Sequence, residues 1–267
     1  MIPMPAIAAL ICVAIPFLGR PWAQKWQGSA GLFGHSAWMP VGMFILFVHL
    51  AMTASQTGEW PMVHVRGGLQ TLALLIGLGW LGFRSRERMG AVGAILMPIV
   101  ALLIVVSLIE PQRQALSQSA GLFFSMHMAL IFVGLGTFAL SFALSLLFLI
   151  QRRRLKRKQL DGIQNLPALD TLDRLNFRTQ CFGFIALTVG MAMGFFLAIN
   201  SGTTRGLSGP TFWGTVAVWV WYAIGLQSWL MGRWRGKPAA LFGVVGFSGL
   251  VVIVGLAVSW LGGWHGV

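Results

Sequence analysis

Apolar residues run along this chain in long blocks, separated by short intervals that carry nearly all of the charge. Eight blocks can be marked, at 2–18, 38–54, 68–83, 90–108, 121–150, 181–199, 211–231 and 239–261, the second and third being the shortest. Each is continuously apolar and approaches the ~20 residues that a helix needs to cross a bilayer. Continuous blocks, unlike the alternating pattern of a lipid-facing strand, favour helices over a barrel. The pattern predicts an all-α polytopic membrane bundle of about eight transmembrane helices, forming a single domain over residues 1–267.

Composition supports this reading. Of 267 residues 57% are apolar and 9% charged, and the mean hydropathy is +0.78, whereas a soluble domain carries about a quarter charged residues. The net charge of +13 points to nucleic acid only if the basic residues form a stripe on a soluble fold. Sorted by loop across eight spans, 16 of the 19 Lys and Arg fall on one side and only Arg66, Arg113 and Arg205 on the other. Cytoplasmic loops collect basic residues, so the segregation predicts that both termini lie outside and that the charge marks topology, with no nucleic-acid partner. The first block has Arg20 after it and no charge before it, the reverse of a signal peptide, and is read as a retained helix. The basic run 151–158 reads as a stop signal at the inner face, with anionic headgroups as the other reading. The interval 152–180 continues into Leu166, Leu169, Leu172 and Leu175, whose spacing of three predicts a short amphipathic helix lying against that face.

Candidate chemistry is confined to few residues. Cys12 and Cys181 lie far apart in apolar segments, and no CxxC or CxxCH occurs, which leaves thiol redox chemistry and covalent haem attachment unsupported. No acidic residue falls within a block, which disfavours a transporter using buried carboxylates, as does the lack of repeat pairing between halves. There is no phosphate-binding glycine loop, HExxH or GxSxG. The glycines read as sites of close helix packing.

The five histidines are informative through depth. At ~1.5 Å per residue, His127 lies roughly 35 Å above the inner end of its helix and His265 roughly 39 Å above the start of the last one. Both therefore reach the outer surface. His49 lies about 16 Å into the second span, His64 in an outer loop beside Arg66, and His35 on the inner side. Two imidazoles on rigid helices suit axial coordination of haem iron, with Arg66, Arg113 or Arg205 available to pair with propionates. The alternative for an outer histidine is an ordinary interfacial residue, and for His49 a hydrogen bond between helices. Most of the twelve tryptophans fit interfacial belts at span ends. Trp213, Trp219 and Trp221 are instead clustered at and below the outer end of the seventh span.

Four segments, SMHMALIFVGLGTFALSFALSLLFLIQRRRLKRK, LPALDTLDRLNFR, WVWYAIGLQSWLMGRWRGKPAALFGVVGF and GGWHGV, resemble in order and spacing the cytochrome c assembly protein family, the CcsA and HemX-like integral membrane haem-handling proteins. The resemblance covers about two thirds of the chain, from Met126 onward, with a fainter match around the second block. It implies that His127 and His265 ligate haem iron beside a tryptophan-rich segment, and that His49 is the intramembrane histidine of an early span. The matching partner position on the penultimate span holds Gln227. Trp213, Gly214 and Trp219 lie on the tryptophan-rich motif, but Val220 stands where the family has Asp, and the Pro-Lys-Glu that follows is absent. This departure points to the HemX-like branch.

Sequence therefore predicts a multi-pass protein of a bacterial cytoplasmic (inner) membrane that holds haem b at its outer face in support of c-type cytochrome biogenesis. It would not perform bond chemistry of the usual catalytic kind. His127 and His265 are its expected axial ligands, with His49, Trp213, Trp219 and Arg205 as further haem contacts. Its partners would be the lipid bilayer and other cytochrome c assembly membrane proteins. The competing expectation is a cofactor-free membrane subunit or regulator that keeps the scaffold without haem chemistry.

Overall fold

A computed structural model of the chain describes residues 4–18, 38–84, 89–109, 121–158, 166–200 and 210–260. These form eight α-helices: α1 (Met4–Leu18), α2 (Trp38–Thr57), α3 (Val65–Arg84), α4 (Gly90–Ile109), α5 (Leu122–Lys156), α6 (Leu169–Asn200), α7 (Pro210–Leu230) and α8 (Lys237–Trp260). One 3-10 turn at Pro61–Val63 links α2 to α3, and no strand occurs among the described residues. Each helix coincides with one apolar block, because lipid satisfies no backbone donor or acceptor and an apolar block must bond internally. The helices α2 to α6 are long and apolar enough to cross a membrane. This is a helical membrane protein.

The structure differs from the sequence expectation between residues 152 and 180. The basic run is the last part of α5, which extends to Lys156, and the leucine-rich segment is the first part of α6, continuous to Asn200. Among the described residues no separate helix lies along the bundle there. The reason is one stripe: Leu172, Leu175, Thr179, Gly183, Ala186 and Gly190 are all buried at spacings of three and four, so the amphipathic face turns into the bundle as part of a single helix. The opposite side carries an exposed Arg174–Asp170 pair at 2.7 Å.

Helix α5 is the hub, packing against α3, α4, α6, α8 and the 3-10 turn. Its closest partner is α6, in an antiparallel register set by small residues. A Cβ at Gly183 would overlap Thr137 and approach Phe138, one at Gly190 would stand 2.9 Å from Ile131 Cδ1, and one at Gly134 would stand 3.2 Å from the Gly183 carbonyl. Such small-residue contact lets helix backbones approach closely where lipid supplies no hydrophobic drive. Further along the same seam, the Ser141 hydroxyl donates to Asn176 Oδ1 (2.6 Å) and Gln180 Nε2 donates to the Ser141 oxygen (3.0 Å). On the α7 side, Phe138 stacks on the fully buried Tyr222 with ring centroids 3.7 Å apart.

The α7–α8 connection is fixed by two glycines with positive φ, Gly232 (71°) and Gly236 (67°), a conformation that L side chains rarely adopt. Gly232 closes α7 by donating to the Trp229 carbonyl at 3.0 Å. Gly236 donates its N–H to Asp173 Oδ1 of α6 at 3.0 Å, while its carbonyl accepts from Ala240 in the first turn of α8. A carboxylate from another helix thus holds the start of α8. Asp173→Ala should lower stability by about 1 kcal/mol, read as a drop of about 2–4 °C in the thermal midpoint of detergent-purified protein.

Candidate functional site

The α5–α6 register carries directly to His127. Following the pairs down both helices, Ile131 faces Gly190 and His127 faces Gly194, where an added Cβ would stand 2.5 Å from Cε1 of the imidazole. His127 Nδ1 lies 2.7 Å from the Gly190 carbonyl oxygen. A carbonyl can only accept, so Nδ1 carries the proton and, in the neutral ring, Nε2 holds the free lone pair. A backbone acceptor on one ring nitrogen is the arrangement that orients a metal-ligating histidine and raises the basicity of the other nitrogen. Phe124, one turn away, lies at 6.2 Å between ring centroids. Among the described residues no three His, Cys, Asp or Glu side chains gather to hold a bare metal ion. His127 is suited to supply one ligand rather than a complete set.

Registers on the other side of α5 place two more of the expected residues. Gly136 packs on Leu75 and Ile76, and a Cβ at Gly79 would stand 2.5 Å from Leu140 Cδ1, so α3 runs parallel to α5 and Arg66 lies level with His127. Met43 of α2 fills the space beside Gly77, which puts His49 level with Thr71, about 8 Å toward the basic end from Arg66 at ~1.5 Å per residue. His49 is half-buried. In the turn above, His64 Nε2 is 3.7 Å from Glu59 Oε2.

Helix α7 separates the two tryptophans that the sequence placed on one platform. Trp219 is part of the helix interface: its indole N–H donates to Thr188 Oγ1 of α6 at 2.9 Å, and its ring stacks on Phe184 with centroids 5.3 Å apart. Trp213 is 61% exposed and meets Phe212 edge-on. Because α6 and α7 are antiparallel and Trp219 is level with Thr188, Trp213 lies level with Gly194 and therefore with His127. Trp213, Val220 and Gln227 share one exposed stripe of α7 at intervals of seven, with only ~20° of drift per interval. Three of the positions that the resemblance singled out, one matching and two departing, thus fall on a single uncovered face.

Helix α8 pairs antiparallel with α7 through Gly214 against Ile253, Trp221 against Gly246 and Gly225 against Phe242. Trp260, where the described part of α8 ends, is therefore on the His127 side of the bundle, about 9 Å beyond the level of Trp213. His265, Arg205, His35 and Arg113 lie outside the described residues. The residues that sequence reasoning missed are Gly190, Gly194 and Thr188. The signal for the first two was present in the stripe of small residues at 183, 190 and 194; the bond from Trp219 to Thr188 had none.

A family model described as Cytochrome C assembly protein matches residues 9–265. The chain is 24% identical over 231 residues to the cytochrome c biogenesis protein CcsA of Guillardia theta, covering 78% of this chain and 76% of that one. It is 32% identical over 101 residues to the CcsA of Thermosynechococcus vestitus and 32% identical over 99 residues to that of Prochlorococcus marinus. Each of these two matches spans 31% of the relative's length. No solved structure matches.

Proposed function

The chain belongs to the cytochrome c assembly protein family, and from that premise we propose that it binds haem b at the outer face of a bacterial inner membrane, where His127 and His265 would hold the iron. It is a multi-pass membrane protein with a role in cytochrome c biogenesis. In this reading all eight helices span the bilayer, both termini are outside, and other assembly proteins of the same membrane receive or supply the haem. The HemX-like branch suits the departures at Val220 and Gln227.

The observation that carries the proposal is the 2.7 Å bond from His127 Nδ1–H to the Gly190 carbonyl. It leaves Nε2 with its lone pair, the state that iron ligation requires, on a ring held by two packed helices. Trp213, exposed at the same level, offers an aromatic surface to a macrocycle, and Arg66 and Arg205 offer charges to propionates. Trp219 holds α7 against α6 and so sets the height of Trp213. His49, deeper in the bundle, is the intramembrane contact. When bound, haem would supply the iron porphyrin that c-type cytochromes require; this chain's residues hold and orient it.

The second reading, a scaffold without haem chemistry, is favoured by the exposed Gln227 where the family has a histidine. An absorption spectrum of the detergent-purified protein separates the two. A Soret band, or its appearance on haemin titration at one equivalent, is expected; a colourless protein that haemin leaves spectrally unchanged establishes the second reading instead.

A further inference from the structure

At the opposite, basic end of the bundle, the ends of α6, α7 and α8 form a small concave site. It is lined by Asn176, Phe177, Gln180, Trp229, Trp234 and Phe242 and has room for about one water molecule at its floor. Arg233 and Arg235 on the connection between α7 and α8, and Lys237 at the start of α8, flank Trp234 of this site in sequence, and all three are exposed. None of the three is in an ion pair among the described residues. Asp173, a carboxylate beside the connection, accepts from the Gly236 N–H.

These cations are mounted on an ordered element. Arg233 and Trp234 both donate backbone N–H bonds to the Ser228 carbonyl, at 3.1 and 3.2 Å, and Trp234 leans on Phe242 with centroids 5.2 Å apart. The Trp229 ring stacks on Phe177 at 3.6 Å, and the Arg235 guanidinium stands 4.7 Å from its centroid. A stacked phenyl leaves no space for a guanidinium on the same face, so Trp229 is sandwiched and Arg235 is held over its other side. The Trp229 indole N–H, shielded from solvent in this site, has no acceptor among the described residues.

We infer that this site binds the phosphate headgroup of an anionic phospholipid. A fixed guanidinium presents a planar donor fork that suits phosphate oxygens. Two further cations at headgroup level add attraction to an anionic leaflet. Aromatic side chains with one polar edge are placed at this depth by the bilayer itself. A lipid fits these features better than a free anion, which would leave the aromatic wall unused.

Native mass spectrometry of the detergent-purified full chain, with phosphatidylglycerol or phosphatidylcholine added, tests this. Phosphatidylglycerol should be retained preferentially, and Arg233→Gln with Arg235→Gln should weaken its retention by about tenfold. Arg153→Gln with Arg154→Gln, on the exposed end of α5, should leave it unchanged. Equal loss from the α5 pair would show a non-specific charge effect and overturn the site. Displacement of the lipid by inorganic phosphate at equal concentration would assign it to a free anion instead, and so would overturn the lipid. An unchanged melting temperature in phosphatidylcholine keeps the variants' fold out of the comparison.

Discussion

Replacing His127 with alanine should strip the protein of haem while leaving its helices intact. His127 is in the second turn of α5, near one end of the longest helix, so truncation removes a polar group from the rim of the bundle rather than from the Phe138–Tyr222 core. Loss of an outer-shell partner of a metal-ligating histidine alone weakens binding by about 10–100-fold, so loss of the ligand should exceed about 100-fold. The checks are the Soret absorbance per protein on purification and the midpoint of a haemin titration. Circular dichroism should be unchanged. Exogenous imidazole should restore part of the Soret band in His127→Ala, because the Gly190 carbonyl and the Gly194 surface that seat the ring remain. His127→Ala together with His265→Ala should abolish haem and resist imidazole rescue by either site alone. A Soret band of wild-type position and intensity in the double variant would end the ligand assignment.

The helices were legible in the sequence because lipid imposes a simple rule: every unbroken apolar block must form a helix. That rule fixes extents as closely as block 90–108 and helix Gly90–Ile109. It fails at residues 152–180, where polarity no longer marks a helix end; there the buried stripe from Leu172 to Gly190, not the charge, determines the structure. The height of His127 was legible too, since rise per residue is constant. What surrounds the ring was not. The Nδ1–H bond to Gly190 depends on the antiparallel register of two helices, which small residues 46 or more positions away along the chain determine, and composition alone does not reveal which stripe meets which. The same holds for the tryptophans. Six residues apart on a helix, Trp213 and Trp219 point about 120° from one another, so one of them packs between helices and the other faces outward.

Substituting valine for Gly194 should couple helix packing to the site in a way that a matching change elsewhere does not. At Gly194 the first added carbon would meet Cε1 at 2.5 Å, Nδ1 at 3.0 Å and Nε2 at 3.2 Å, so all three imidazole atoms are displaced together. The ring has little freedom to yield while Nδ1–H is held by Gly190 at 2.7 Å. Either that bond breaks or the two helices separate. Overpacking of this kind destabilises by about 1–3 kcal/mol, and the lost orientation should weaken haem binding by about 10–100-fold. Gly183→Val is the control. It overpacks the same seam against Thr137 and Phe138, but about 16 Å along α6 from Gly194, where no imidazole lies. Both variants should lower the thermal midpoint by several degrees, about 2–4 °C per kcal/mol for a chain of this size. Only Gly194→Val should shift the haemin titration when both are measured below their melting temperatures. If haem affinity falls equally in the two variants, Gly194 acts through bundle stability alone; if it falls only at Gly194, the small residue is there because the imidazole needs the space.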